Sequence, residues 1–550
     1  MQKLNRNIGT FGLMMTGVGS IIGSGWLFGA QKAVVVAGPA AIVAWIIGMV
    51  MVLFIGLVYA ELGARFPESG GMVRYAQYSH GSVIGFISGW SNWIAIVSVI
   101  PIEAEASIQY MSSWPFAWTH ALYSTSSQTL TATGLWLAAV LVFIYFLINF
   151  WTVQLFARVN TFITVLKFAI PGLTAIALLC SGFHSENFSQ HGGFTPFGWS
   201  GVLTAVATSG IVFAFNGFTS PVNLAGEVKR PNRSVPIAVV GSILLAAVIY
   251  LLLQVAFIGS LTPAMLANGF AHLNFDSPFA NLAMAFGLNW LAIILFADAF
   301  VSPSGTGITY TATTARMIFG ISENGWLAKS FAHVHPKWRI PRRAMWANLV
   351  IAYLFLILFR GWGQLSTVIS IATLLSYTTG PVSALAFRDV ADGMGSSVRV
   401  KGLKILAPIA FVMASLILYA GKWPSTGRVI FVILVGLPIY LFFQYRNEGF
   451  KGFGKHLKSS IWMIAYLAFM ILVSFLGSAQ FGGIQVIPYG IDLLVVAVGS
   501  LAFFYWGVRS AWVTPYLERA QTDYETEVRA SASPLGRTSD AAADLPSTTL

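Results

Sequence analysis

Fourteen apolar runs, most of them about twenty residues long, lie between residues 8 and 508 and decide what this chain can fold into. In hydrocarbon every backbone N–H and C=O must be satisfied within the chain, so runs of this length fold as membrane-crossing helices. The expectation is an all-α polytopic membrane protein of about 14 spans. The runs after residue 400 are short and interrupted by Gly or Pro, which keeps 12 spans as the alternative. With 56% hydrophobic and only 9% charged residues, an ordinary soluble domain is excluded.

The formal charge of +12 would suit a nucleic-acid partner if it formed one patch. It does not: with the N-terminus placed in the cytoplasm, only Lys32, Arg360, Lys422 and Arg428 fall on the outer side, and Lys167 falls inside a span. Every other Lys and Arg marks the inner face, so the basic charge reports topology and no nucleic acid is expected. The reading is a multi-pass protein of the plasma membrane without a cleaved signal, with both termini cytoplasmic if there are 14 spans. Residues 1–7 form the inner N-terminus, 404–509 hold peripheral C-terminal helices, and 510–550, rich in Ala, Ser, Thr and acidic residues, read as a disordered tail. Cys180 stands alone, so no intramolecular disulfide forms. His333 and His335 lie in a basic loop without further ligands, no Ser-His-Asp or paired-Cys pattern occurs, and neither metal, cofactor nor enzymatic activity is expected.

Within the first run, Gly17-Val18-Gly19-Ser20-Ile21-Ile22-Gly23-Ser24-Gly25 is poor helix material, because each glycine costs roughly 0.8–1 kcal/mol against alanine in a helix interior. Unwound backbone at membrane depth survives only where protein shields it or it lines a polar cavity. A small-residue packing motif is the alternative reading of Gly19 and Gly23. The sixth run holds a second weak point, Phe213-Ala214-Phe215-Asn216-Gly217-Phe218-Thr219-Ser220-Pro221. Two interruptions five spans apart, in halves covering 8–182 and 199–388, point to a 5+5 inverted-repeat carrier with its site between the repeats.

These residues resemble the amino acid-polyamine-organocation permeases. Gly17 to Gly25 with Trp26 and Phe28 is similar to the first-helix signature, and Tyr59-Ala60-Glu61-Leu62 with Pro67-Glu68-Ser69-Gly70-Gly71 to the second-helix motif. Phe215-Asn216-Gly217-Phe218 with Gly226-Glu227-Val228-Lys229-Arg230-Pro231 resembles the sixth-helix motif, and Arg316 with Glu323-Asn324-Gly325-Trp326-Leu327 the loop after the eighth. Pro101-Ile102-Glu103-Ala104-Glu105-Ala106 and Ser302-Pro303-Ser304-Gly305-Thr306-Gly307 look most like the aspartate:proton symporter branch.

The resemblance implies a leucine-transporter-type fold and a secondary active importer of an L-amino acid, aspartate being a candidate, by proton symport with alternating access. An exchanger of the same fold is the alternative, and an ion channel a remote one. Ser20, Ile21, Ile22, Gly23, Ser24 and Gly25 would take the substrate carboxylate, through backbone N–H groups and the Ser24 hydroxyl. Carbonyls near Ile21 and along Phe213, Ala214 and Phe215 would take its ammonium, with Asn216 and Gly217 completing the substrate-binding stretch. Lys167 matches the fifth-helix lysine that replaces a sodium ion in proton-coupled members; a snorkelling lysine is the other reading. Glu103, favoured over Glu105, and Asp298 are the intramembrane acids expected to assist proton coupling, with a local cap at the Pro303 kink the alternative for Asp298. Trp26 and Phe218 are candidate gates, with helix packing as the alternative, and Glu61 and Glu227 are assigned to the inner helix ends. Partners are therefore an amino acid, a proton and the lipid bilayer, with the oligomeric state open.

Overall fold

The computed structural model describes residues 8–522, except 69–70, 152, 336–339, 391–398 and 451. The expected N-terminal segment 1–7 and the tail beyond 522 lie outside the described residues. The first run divides into α1 (Thr10–Ile21) and α2 (Gly25–Ala37) and leads through a short 3-10 turn into α3 (Ala41–Arg65). A short helix, α4 (Gly71–His80), precedes the nearly continuous pair α5 (Ser82–Val97) and α6 (Val99–Met111). A two-stranded hairpin, β1 (Tyr123–Ser124) and β2 (Thr129–Leu130), then leads into α7 (Ala132–Trp151) and α8 (Val153–Ser181).

The sixth run forms α9 (Gly198–Thr208), α10 (Ile211–Phe215), a 3-10 turn at Asn216–Phe218 and α11 (Thr219–Asn223). There follow α12 (Pro231–Gly259), α13 (Pro278–Ala285), the long α14 (Asn289–Glu323) and α15 (Arg342–Leu358). Next come α16 (Trp362–Tyr377) and α17 (Thr379–Val390), and the chain closes with α18 (Leu403–Ala420), α19 (Ser425–Glu448), α20 (Phe453–Lys458), α21 (Ile461–Leu476) and α22 (Ile491–Arg509).

Among the described residues, eleven stretches are long and apolar enough to cross a bilayer, or twelve if the bent pair α9 and α10–α11 counts as one span. The sequence count of fourteen is not reached on this measure for physical reasons. Helix α1 has only 12 residues, α15 only 17, and α2 runs into α3 as one stretch. Burial separates two classes of span. Over the 18-residue apolar stretch of each span, 94% and 100% of the residues are buried in Ser82–Met111 and Trp362–Arg388, against only 33% and 28% in Ala132–Phe150 and Ile491–Arg509. The enclosed spans form the middle of the bundle. The others turn Trp136, Val498 and similar apolar side chains outward, as contact with lipid requires.

Two local expectations are corrected. In the first run Gly17 to Ser20 remain helical, and the interruption is confined to Ile22–Ser24, where Ile22 is extended (φ −82°, ψ 99°). In the sixth run the chain bends by 47° three residues before Phe213, at Ser209-Gly210, where Gly210 takes a left-handed φ of 81°. At Asn216–Phe218 the helix merely tightens into a 3-10 turn, and Pro221 sits in the first turn of α11, where its missing N–H costs nothing.

The start of the expected disordered tail is also ordered. Residues 515–522 are helical, Leu517 is fully buried, and Trp512 N–H donates to the Ser79 carbonyl of α4 (3.1 Å). Thr514 Oγ1 donates to the Tyr78 carbonyl (2.8 Å). Leu517, fully buried, and the half-buried Trp512 explain this, because their burial offsets the entropy that the polar composition further on cannot. At the other end, Ile8 pairs with the segment after α11: its N–H donates to Glu227 O and its C=O accepts from Lys229 N–H, both at 3.1 Å.

Candidate functional site

The two interrupted runs meet. Gly217 lies so close to α1 that an added Cβ would collide with the Ser20 carbonyl group and the Ile21 nitrogen, all main-chain atoms. On the other side of the break, a Cβ at Gly25 would lie 2.9 Å from the Ala214 Cβ. Glycine at these two positions lets backbone pack on backbone. Tyr250 of α12 ties the junction together: its hydroxyl lies 3.1 Å from both Ile21 O and Ala214 O, carbonyls that sit on either side of the junction.

Around the first break three polar side chains converge from distant parts of the chain. Lys167 of α8 donates to Gly19 O (3.0 Å) and Thr306 Oγ1 (2.6 Å). A carboxylate oxygen of Glu103 in α6 accepts from the Ser24 N–H (2.9 Å). The Ser24 hydroxyl accepts from the Trp362 indole N–H (2.9 Å). Asp298 of α14, on the helix that also carries Thr306, adds a second buried acid. All of these side chains are closed off from solvent: Glu103 is 0%, Asp298 1% and Lys167 3% exposed. Such a lysine is not snorkelling to an interface.

Several of these buried groups keep unused hydrogen-bonding capacity. Among the described residues, Glu103 Oε1, both Asp298 oxygens and Ser302 Oγ have no protein partner. Buried polar atoms are almost always paired, so this concentration marks a place built to take further polar contacts. Gly23 completes it, because a Cβ there would come within 2.6 Å of Glu103 Oε1 and 3.0 Å of Thr306 Oγ1.

The site residues expected from sequence separate as follows. Ser20, Ile21, Ile22, Gly23, Ser24 and Gly25 surround the first break, and Ala214 and Gly217 touch it. The Ser24 N–H expected to receive a substrate carboxylate is held by Glu103. The Phe213 carbonyl accepts from Asn216 N–H, and Asn216 Oδ1 from the Tyr377 hydroxyl (2.7 Å). Phe213 and Phe215 pack edge-on against Trp362 and Tyr250. Trp26 packs against Phe279 at 5.7 Å, and Phe218 against Tyr377 at 5.2 Å, both fully buried. Glu105 is 1% exposed, and neither of its oxygens has a partner among the described residues. Sequence reasoning missed Tyr250, Trp362 and Tyr377, three side chains that hold the broken segments.

On the face that carries most of the basic loops, Glu61 forms a two-pronged ion pair with Arg388 (3.2 and 2.8 Å) and also accepts from Val400 N–H (2.7 Å). This joins the ends of α3 and α17 beneath the site.

Interrupted helices that enclose a lysine, two acids and spare polar atoms within a lipid-facing bundle define a membrane carrier of a small polar solute. The chain belongs to the amino acid permease family, whose sequence model matches residues 8–481. It is 57% identical over 524 residues to the glutamate/serine transporter AimA of Bacillus subtilis, covering 95% of this chain and 97% of that protein. It is 35% identical over 527 residues to the aspartate-proton symporter of the same organism, covering 95% and 99%. It is also 29% identical over 405 residues to human cationic amino acid transporter 4, covering 70% of this chain and 60% of that one. The chain is thus an amino acid transporter of the membrane and not an enzyme.

Proposed function

We propose that this chain imports L-amino acids, acidic ones among them, by proton symport, through alternating access of two five-span repeats covering 8–182 and 199–388. Its basic face is cytoplasmic. The observation that carries the coupling is the Glu103 carboxylate on the Ser24 N–H. A carboxylate at that N–H holds the place that a substrate carboxylate would take at the start of α2, where the helix dipole favours an anion.

Substrate must therefore displace Glu103, and a displaced buried carboxylate is costly unless it pairs or is protonated. Lys167, tied to Gly19 O at the same break, is the neighbouring charge that makes proton uptake and substrate entry interdependent. Loss of its proton would remove the charge that strengthens its bond to the Gly19 carbonyl and so ease the tilting of α1. Asp298 supplies a second acceptor along the proton's route, and Trp26 and Phe218 act as packed gates. The similarity to relatives described as a glutamate/serine transporter and an aspartate-proton symporter supports an acidic substrate.

The test is uptake of all labelled amino acids into proteoliposomes with an imposed pH gradient. The expected result is concentrative uptake driven by the gradient, abolished by Lys167→Ala in protein that stays monodisperse. Uptake that ignores the gradient and requires internal counter-substrate would make the chain an exchanger and overturn the coupling.

A further inference from the structure

Lys32 lies seven residues after Gly25 on α2, which places it on the same helix face about 10 Å further from the break. Between the two, Phe28 packs on Trp362 (ring centroids 5.1 Å) and edge-on to Tyr110 (5.3 Å). Since the Trp362 indole also holds the Ser24 hydroxyl, this aromatic layer separates the polar site from the face opposite the basic loops. Lys32 stands just beyond the layer: a Cβ added to Gly363 would lie 3.9 Å from its Cε.

The lysine is half-buried, but its Nζ reaches solvent and donates to Gln128 Oε1 (2.9 Å) on the β1–β2 hairpin. An ammonium has three donors, and no carboxylate comes within ion-pair distance of this one among the described residues. Asp276, the acid on the same rim, accepts from Thr125 Oγ1 instead (3.1 Å). The neutral partner is firmly aimed. Gln128 Nε2 donates to Asn274 Oδ1 (3.3 Å), Asn274 Nδ2 to Thr125 O (2.7 Å), and Leu130 N–H to Arg360 O (2.7 Å). The hairpin is pinned on two sides and presents a carbonyl oxygen to the lysine.

We propose that Lys32 is a recognition site for the side-chain carboxylate of an acidic amino acid, engaged outside the Phe28–Trp362 layer before the substrate reaches the break, with Gln128 as the neutral acceptor it displaces. This rests on the reading of the chain as an importer of amino acids. An unpaired cation at the mouth favours a substrate of net charge −1 over a neutral one, by an attraction that salt weakens.

The experiment uses the full chain in proteoliposomes and compares the KM for glutamate with the KM for serine. In Lys32→Gln the ratio of glutamate KM to serine KM is expected to rise about tenfold, the lower end of what a charged hydrogen bond contributes. Lys32→Arg keeps the ratio near its original value, and raising the ionic strength moves it in the unmodified protein but not in Lys32→Gln. Gln128→Ala, which frees the ammonium without touching it, lowers the ratio and covers the case in which Lys32→Gln does not fold. A ratio that stays within twofold in both Lys32→Gln and Gln128→Ala, or an unmodified protein that takes up serine but no acidic amino acid, overturns the proposal. Absence of any amino acid uptake by the unmodified protein would instead defeat the importer reading.

Discussion

Gly217→Ala adds one methyl group at the point where the two interrupted runs touch. The new Cβ would sit well inside van der Waals separation from Ser20 C and O and Ile21 N, and because these are main-chain atoms, no side-chain rotation relieves the clash. Overpacking of this kind costs about 1–3 kcal/mol. If that cost falls on the closed arrangement, where α1 and the Asn216–Phe218 turn are in contact, it lowers the population of that arrangement roughly 5- to 150-fold relative to any state in which they separate. Initial uptake at saturating substrate is expected to drop by at least about fivefold. The assay is proteoliposome uptake of glutamate and serine, with thermal unfolding in detergent run in parallel. Gly25→Ala, whose Cβ would lie 2.9 Å from the Ala214 Cβ and 3.1 Å from its Cα, provides the milder comparison. Uptake within twofold of the original, together with an unchanged unfolding temperature, would refute the claim that the broken helices must touch backbone to backbone.

Two further outcomes follow from the polar contacts. Glu103→Gln keeps an acceptor for the Ser24 N–H but removes the charge, so accumulation driven by an imposed proton gradient should fall about tenfold or more; a gradient response equal to the original would remove Glu103 from the coupling. Glu61→Gln leaves Arg388, only 15% exposed, without its charged partner, a change that costs about 3–5 kcal/mol for a buried pair. The unfolding temperature should drop by several degrees and recover in part in the Glu61→Gln, Arg388→Gln double variant, and no drop would show the pair to be idle.

The elements easiest to read in the sequence were those whose signal is local. Apolar length announces the spans, and the glycines of 17–25 announce the first break, because both are properties of a short window. Lys167 and Glu103 stand out for the same reason, since a charge inside an apolar run is conspicuous wherever it sits. The second bend was placed too late because Asn216-Gly217 with Pro221 looks a stronger breaker than Ser209-Gly210. The left-handed turn at Gly210 nevertheless takes the bend, and the asparagine is held by Tyr377. Tyr250, Trp362 and Tyr377 escaped notice because each is an ordinary span residue with a partner more than a hundred positions away. Helical periodicity gives the face such a residue occupies and nothing about what it meets there.

The short backbone pairing at Ile8 bears on how the basic side can open. Ile8 is bonded through both its N–H and its C=O to the strand-like stretch that leads out of the second interrupted run. The entry to α1 and the exit from α11 are therefore strapped to each other, and neither can swing away on that side alone. Either they travel as one lever, or the strap parts before the leaflet beneath it is reached.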